Sequence, residues 1–215
     1  MVVRPTPNRK HSSFSDGSRS PGFRTPREIR PVSCSTISSS FAPTSRIIAN
    51  GGAGNDDIQV AGAVANQVWL YGDAGNDRLN AGNGGSLLIG GDGNDHLVGG
   101  GGRDLMIGGQ GADHLMGNSN QDVLVAGYTD LDDRAKAGHE DFWCEVLKEW
   151  DRSDIGFATR VQNLRDADFV DKVHDDLSAD AIDFLNGSSG EDWLIFLSGQ
   201  DKVSGQTEAM DVPPT

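Results

Sequence analysis

An aspartate that recurs along the middle of the chain is the residue best placed to do chemistry. Residues 51–125 divide into eight nine-residue blocks, with a three-residue insertion at 60–62. The sixth position is aspartate in six blocks: Asp56, Asp77, Asp95, Asp104, Asp113 and Asp122. A carboxylate is a preferred ligand of hard cations such as Ca²⁺. The spacing therefore predicts a series of cation-binding turns.

Glycines at the first, second and fourth positions explain how such a turn adds further ligands. Glycine adopts positive φ at little steric cost, so each turn reverses tightly and directs backbone carbonyls toward one point. The carbonyls expected to contribute belong to Gly52, Gly54, Gly75, Gly91, Gly93, Gly109 and Gly111. Calcium takes six to eight oxygens at roughly 2.3–2.6 Å, more than one turn supplies. Two stacked turns must therefore share each ion.

The eighth position of every block is apolar, which predicts the elements that hold the turns. The last three residues of a block form a short strand with the eighth side chain pointing inward. Two blocks then make one coil of eighteen residues, and successive coils stack at roughly 4.8 Å, the spacing of paired strands. Parallel strands joined by crossovers are nearly always right-handed. The pattern predicts a mainly β fold, a right-handed parallel β-roll (solenoid).

Alternate blocks should lie on opposite edges of this roll, and the two edges differ. The odd blocks have well-formed turns, whereas only one even block, 99–107, keeps its glycines. We expect about three calcium ions on the odd edge, between Asp56 and Asp77, Asp77 and Asp95, and Asp95 and Asp113. A weaker fourth site is expected between Asp104 and Asp122.

The nine-residue period stops at 125 and returns near the end of the chain. Residues 128–177 have helical periodicity, with helices expected near 132–151 and 155–166. The repeat resumes more weakly in 178–204, where Asp183, Asp192 and Asp201 are expected to serve a further metal site. Residues 205–215 read as a frayed tail.

The strands of the even blocks are apolar on both faces, as in Trp69-Leu70-Tyr71 and Leu87-Leu88-Ile89. A strand of this kind is normally covered on both sides. We expect the helical pair in 128–177 to pack on the outer face of the even strands. A protein partner, or self-association through this even face, is the alternative.

Charge is divided unevenly along the chain. Residues 1–46 are rich in Ser, Pro and Arg, with eight basic and two acidic residues, and read as a disordered leader. The whole chain nevertheless carries a net charge of −14, which disfavours nucleic acid and anionic membranes and attracts cations. No apolar run is long enough for a membrane span. Two cysteines, Cys34 and Cys144, leave a disulfide open.

The block pattern G-G-x-G-x-D-x-U-x resembles the RTX, or haemolysin-type, calcium-binding repeat family. The resemblance covers 51–125 strongly and 178–204 more weakly. It implies a calcium-dependent β-roll that is secreted or attached to the cell surface, although no export signal is visible at the N-terminus.

These observations predict structural calcium binding by a secreted or cell-surface protein that folds on binding the ion. No catalytic motif is present, so an enzyme is not expected. Two alternatives stay open. The chain is the C-terminal calcium-dependent module of a larger extracellular enzyme, acting on protein or polysaccharide, or it is an adhesion or matrix module that uses its apolar even face.

Overall fold

The computed structural model describes residues 46–174, 181–196, 200–205 and 207–211, all within the unit Val32–Thr215. In chain order its strands are β1 (Ile47–Ala53), β2 (Asp57–Gln59), β3 (Val68–Ala74), β4 (Arg78–Asn80), β5 (Ser86–Asp92), β6 (His96–Gly100), β7 (Leu105–Gln110), β8 (His114–Asn118), β9 (Val123–Val125), β10 (Tyr128–Thr129), β11 (Val173–His174), β12 (Phe184–Asn186), β13 (Asp192–Phe196), β14 (Lys202–Ser204) and β15 (Thr207–Asp211). Its helices are α1 (His139–Trp150), α2 (Phe157–Asp166) and a short 3₁₀ helix, Val170–Lys172. The fold is mainly β.

Two parallel sheets organise these strands, and the repeat explains why. The seven-stranded sheet has the order β1-β3-β5-β7-β9-β13-β15, and the six-stranded sheet has the order β14-β12-β8-β6-β4-β2. The chain therefore passes from one sheet to the other at every block. In the six-stranded sheet Leu79, Leu97 and Leu115 lie in register on neighbouring strands, eighteen residues apart.

The eighth-position side chains fill the space between the sheets. Leu79, Leu88, Leu97, Met106 and Leu115 are fully buried in one continuous cluster. Burying a side chain of this size contributes about 1.5–3 kcal/mol. This row is the apolar core that keeps the flanking turns in register.

A second apolar cluster lies on the outer face of the seven-stranded sheet. Trp69, Leu87 and Leu105 on that face are fully buried against helix residues such as Trp143 and Trp150. The indole N–H of Trp150 donates to the carbonyl of Gln121, 3.1 Å away, so α1 is also tied to a turn. The helices therefore cover this face over β3, β5 and β7.

The helical segment separates coils that are neighbours in space. Strand β12 pairs in parallel with β8, and β13 pairs with β9. The partners there are about 70 residues apart, instead of 18 within the uninterrupted repeat. The repeat in 178–204 thus extends both sheets.

Two expectations need correction, and two others concern residues outside the described ranges. The tail is not frayed throughout, because Thr207–Asp211 forms β15 and pairs with β13, which provides hydrogen bonds at the sheet edge. Helix α1 begins at His139, later than expected, because Gly138 before it has a φ of 86°. The leader through residue 45 lies outside the described residues. Cys144 is disulfide-bonded, and Cys34 lies outside the described residues too. Among the described residues, no helix is long and apolar enough to cross a membrane.

Candidate calcium site

Sixth-position aspartates form a continuous row along the edge where the chain enters the six-stranded sheet. Each backbone N–H in the row donates to the carboxylate Oδ1 of the next aspartate along, at 2.6–3.1 Å. The row runs Asp56, Asp77, Asp95, Asp113, Asp183 and Asp201. We call it the odd row. It brings together the four predicted odd-edge residues and adds two from beyond the helices.

A shorter row lies on the opposite edge. The N–H of Asp104 donates to Asp122 and the N–H of Asp122 to Asp192, at 2.8 and 2.9 Å. We call Asp104, Asp122 and Asp192 the even row. The expected grouping of Asp183, Asp192 and Asp201 at one site is therefore not what the structure contains. Asp192 is the first residue of β13 in the seven-stranded sheet, whereas Asp183 directly precedes β12 in the six-stranded sheet, so they lie on opposite edges.

The last two even turns keep the positive φ values of the odd turns although they have lost glycines. Asn118, Asn120 and Ser188 have φ of 76°, 76° and 68° at positions where the consensus has glycine. Asparagine tolerates the left-handed region better than most residues because its side chain can hydrogen-bond locally. The even edge is therefore less degraded than its glycine count suggests. Its first two turns nevertheless have Val68 and Ser86 at the sixth position in place of aspartate.

A second ladder, which we did not anticipate, runs beside the odd row. The side-chain Oδ1 of Asn55 accepts the N–H of Asn76, Asn76 accepts that of Asn94, and Asn94 accepts that of Ala112, each at 2.9 Å. These asparagines hold successive turns at a constant spacing. The signal was present in the sequence, as asparagine at the fifth position of three odd blocks.

The second carboxylate oxygen of these aspartates is the observation that bears on a metal. The Oδ2 atoms of six residues are buried and accept no hydrogen bond within the described part of the chain: Asp56, Asp77, Asp95, Asp104, Asp122 and Asp192. A buried ionised carboxylate is costly unless a cation or donor compensates it. The rows therefore fit a positive ion.

Burial raises the carboxyl pKa of several aspartates. The pKa of Asp95 rises to about 7 and that of Asp192 to about 6. In the even row burial raises the pKa of Asp104 to about 7, and burial followed by repulsion from Asp104 raises that of Asp122 to about 9. A nearby cation favours the ionised form. A proton and a metal ion therefore compete for these carboxyl groups.

Backbone oxygens converge on the same places. A Cβ added to Gly51 would lie 2.7 Å from the Oδ2 of Asp56 and 2.8 Å from the carbonyl oxygen of Gly72. Gly72 and Gly90 stand in the same relation to the aspartate of their own turn and to the next first-position carbonyl. First-position glycines therefore leave space for two oxygens to approach, and their carbonyls are candidate ligands that sequence reasoning missed.

The seven glycines predicted from the sequence all have positive φ, between 99° and 132°. The carbonyl oxygen of Gly54 approaches Gly75 so closely that a Cβ there would overlap it, and Gly75 and Gly93 do the same to the next turn. These carbonyls line the gaps between turns. At the second position of one turn Asp73 replaces glycine and still has a φ of 73°.

Side chains alone do not form a metal cage here. Within the described ranges, no three acidic, histidine or cysteine side chains cluster closely enough to hold an ion. Each turn of the two rows provides a single sixth-position carboxylate, so the remaining ligands of an ion would be backbone carbonyls. Such an all-oxygen donor set suits calcium and not a transition metal.

Stacked parallel strands joined by glycine-aspartate turns define a class of repeat protein. The model of the RTX calcium-binding nonapeptide repeat matches residues 68–88, 89–124 and 180–203, in four copies. The chain therefore contains RTX repeats, which indicate calcium binding. No curated protein and no solved structure matches the chain.

Proposed function

We propose that this chain is a secreted or cell-surface structural protein whose two sheets wind as a right-handed β-roll and fold on binding calcium. Its role is structural and not catalytic. The observation that supports the proposal is the pair of aspartate rows, in which six buried Oδ2 atoms lack a hydrogen-bond donor among the described residues: those of Asp56, Asp77, Asp95, Asp104, Asp122 and Asp192.

The ions belong in the gaps between consecutive turns of one edge. Three gaps of the odd row were expected, between Asp56 and Asp113, and the row continues to Asp183 and Asp201. The even row has two gaps, on either side of Asp122. The gaps between Asp56 and Asp113 are lined by sixth-position carboxylates and by carbonyls of the first, second and fourth positions.

Burying these rows of carboxylates costs free energy unless a positive charge compensates them. The protein is strongly acidic overall, and stacked carboxylates on one edge repel one another in a medium of low polarity. Bound calcium would supply the positive charge that allows the carboxylates to remain ionised while buried. Binding energy then becomes folding energy, as in other small metal-dependent modules.

Folding that depends on calcium fits an extracellular location. Extracellular calcium modules bind in the range of roughly 10⁻⁴–10⁻³ M, so such a chain stays unfolded at low cytosolic calcium. Proteins with RTX repeats are typically secreted or extracellular. The adhesion alternative that relied on the even face loses its surface, because that face is buried under α1 and α2.

A calcium titration of the full chain followed by far-UV circular dichroism tests the proposal. We expect β signal to appear at submillimolar to millimolar calcium, with no comparable response to equal magnesium. Magnesium is the matched control because it demands a smaller, more regular shell of ligands. A chain that is equally ordered in chelator contradicts the proposal.

A further inference from the structure

We propose that the two ends of the sheet stack are interaction surfaces that join copies of this chain head to tail. The six-stranded sheet ends in β2 on one side and β14 on the other, and the seven-stranded sheet ends in β1 and β15. Within the described residues each of these strands pairs on one side only. A strand edge of this kind is a template for pairing with another chain.

The hydrogen-bonding groups at the β14 edge point outward at a defined residue. Lys202 donates its N–H to the carbonyl of Asp183, and Ser204 accepts the N–H of Gly187 through its carbonyl. Successive residues of a strand point their backbone groups to opposite sides. Val203, between them, therefore presents its N–H and C=O away from the sheet.

The β2 edge presents the complementary groups. Asp56 accepts the N–H of Arg78, and Val60 donates its N–H to Asn80, so both bonds face inward. By the same alternation, Asp57 and Gln59 direct their N–H and C=O outward. A second copy stacked in the register of the repeat places Val203 between these two residues. The Val203 N–H then donates to Asp57, and Gln59 donates to Val203.

The side chains of the outer face match in the same register. Paired strands of the six-stranded sheet align one row along this face: Asp57, Arg78, His96, His114, Phe184 and Lys202. The row begins with an exposed carboxylate and ends with an exposed ammonium group. Head-to-tail stacking sets Lys202 of one copy beside Asp57 of the next. An exposed pair of this kind selects partner and register more than it adds affinity.

Apolar side chains at both ends supply the remaining driving force. Val203 continues the inward row of eighth-position residues and is 41% exposed, whereas Leu185 beside it in that row is 1% exposed. At the other end Ile47 and Ile48 are 41% and 45% exposed, and Ile58 is half-buried. Stacking would bury these residues as the interior of the row is buried. Because the two surfaces differ, the contact does not close on itself and produces open chains.

Sedimentation velocity of the full chain in excess calcium, over a concentration series, tests this inference. We expect the sedimentation coefficient to rise with concentration through a series of species. Lys202→Glu and Asp57→Lys should each remain monomeric, because like charges then meet at the junction. An equimolar mixture of the two variants should associate again, because both junctions of the mixture regain opposite charges. Lys148→Glu, an exposed charge reversal on α1, is the control and should associate as the unmodified chain does.

Circular dichroism of every variant separates this inference from the proposed function. A chain that folds in calcium yet stays monomeric at all concentrations overturns head-to-tail association and leaves calcium-dependent folding intact. Three other results would overturn the inference equally. Either charge variant could associate by itself, their mixture could fail to associate, or a closed dimer could be the final species. The inference needs only the folded stack and no ion between copies.

Discussion

The backbone N–H of Asp113 donates a 2.6 Å hydrogen bond to the carboxylate of Asp183, which lies 70 residues later in the chain. This bond carries the odd row across the helical segment. The strands that follow the two residues, β8 and β12, pair in parallel immediately beside it. The late repeat is thus held to the early one by the same contact that joins consecutive coils elsewhere.

Asp183→Ala should destabilise the calcium-loaded protein although it lies outside the long run of repeats. The substitution leaves the buried N–H of Asp113 without its acceptor, which costs about 1–3 kcal/mol. Urea unfolding in excess calcium measures the change. Asp171→Ala, an exposed aspartate after α2, is the control and should be close to neutral. Equal effects of the two substitutions would show that the row does not cross the helical segment.

Asp95→Asn should weaken calcium-dependent folding more than Asp92→Asn in the same turn. Asp95 is buried and its Oδ1 accepts the N–H of Asp77 at 2.7 Å, whereas Asp92 is exposed. Asparagine keeps an acceptor but loses the charge, and two gaps share this residue. We expect the calcium midpoint in circular dichroism to rise about tenfold, or about 1.4 kcal/mol. An equal shift for Asp92→Asn would mean that only net charge matters.

Gly93→Ala should destabilise the stack, whereas Gly62→Ala should be nearly neutral. Gly93 has a φ of 124°, and a Cβ there would overlap the carbonyl of Gly75. Gly62, in the short insertion, has open space around the position of a Cβ, and it is not one of the glycines with positive φ. The left-handed conformation alone costs alanine about 1–2 kcal/mol, and the overlap adds to this. Thermal unfolding in excess calcium compares the two. Similar melting temperatures for both variants would contradict the close approach of the turns.

His139 should make stability depend on pH. Its Nδ1 lies 2.5 Å from the carbonyl of Leu131, which can only accept, so Nδ1 carries the proton and Nε2 accepts from the Tyr71 hydroxyl at 2.8 Å. Burial lowers the pKa of His139, and the charge of Arg134 lowers it further, against the hydrogen bond to Leu131 and the charges of Glu140 and Asp133, which raise it. The unfolded chain therefore binds the proton more readily. The contribution of neutral His139 is complete above the unfolded pKa of about 6.5 and is lost as the pH falls below it.

Urea unfolding at pH 5.5 and 7.5 in saturating calcium, with His139→Gln as the reference, measures this contribution. The aspartate rows titrate in both proteins, so the difference between them isolates the histidine. We expect the unmodified chain to lose more stability on acidification than the variant does. Parallel losses would place His139 outside the pH response.

The stacked sheets followed from sequence because their cause is local and repeated. The eighth residue of each block, such as Leu79 or Leu97, is apolar and points inward, and this allows only one arrangement of neighbouring strands. The cover over Trp69 and Leu87 was predictable for a related reason, since a sheet face that apolar is rarely left in water.

Other features depend on distances that the sequence does not encode locally. Asp183 and Asp192 were grouped by their nearness in the chain, but the strands that follow them join different sheets after the helical segment. The amide ladder through Asn55 and Asn76 depends on the exact height of one turn above another. The positive φ of Asn118 and Asn120 reflects the demand of a neighbouring turn and not the preference of the residue itself.

Val68 and Ser86, in place of aspartate, leave the first coils with a carboxylate row on one edge only, whereas the coils from Asp104 onward have one on each edge. Under tension applied to the two ends of the molecule, every junction bears the same load in series, so the singly laddered coils part first. Those coils would unwind and lengthen while the coils that pack against the helices stayed folded. A protein of this construction should therefore yield in stages and from one end.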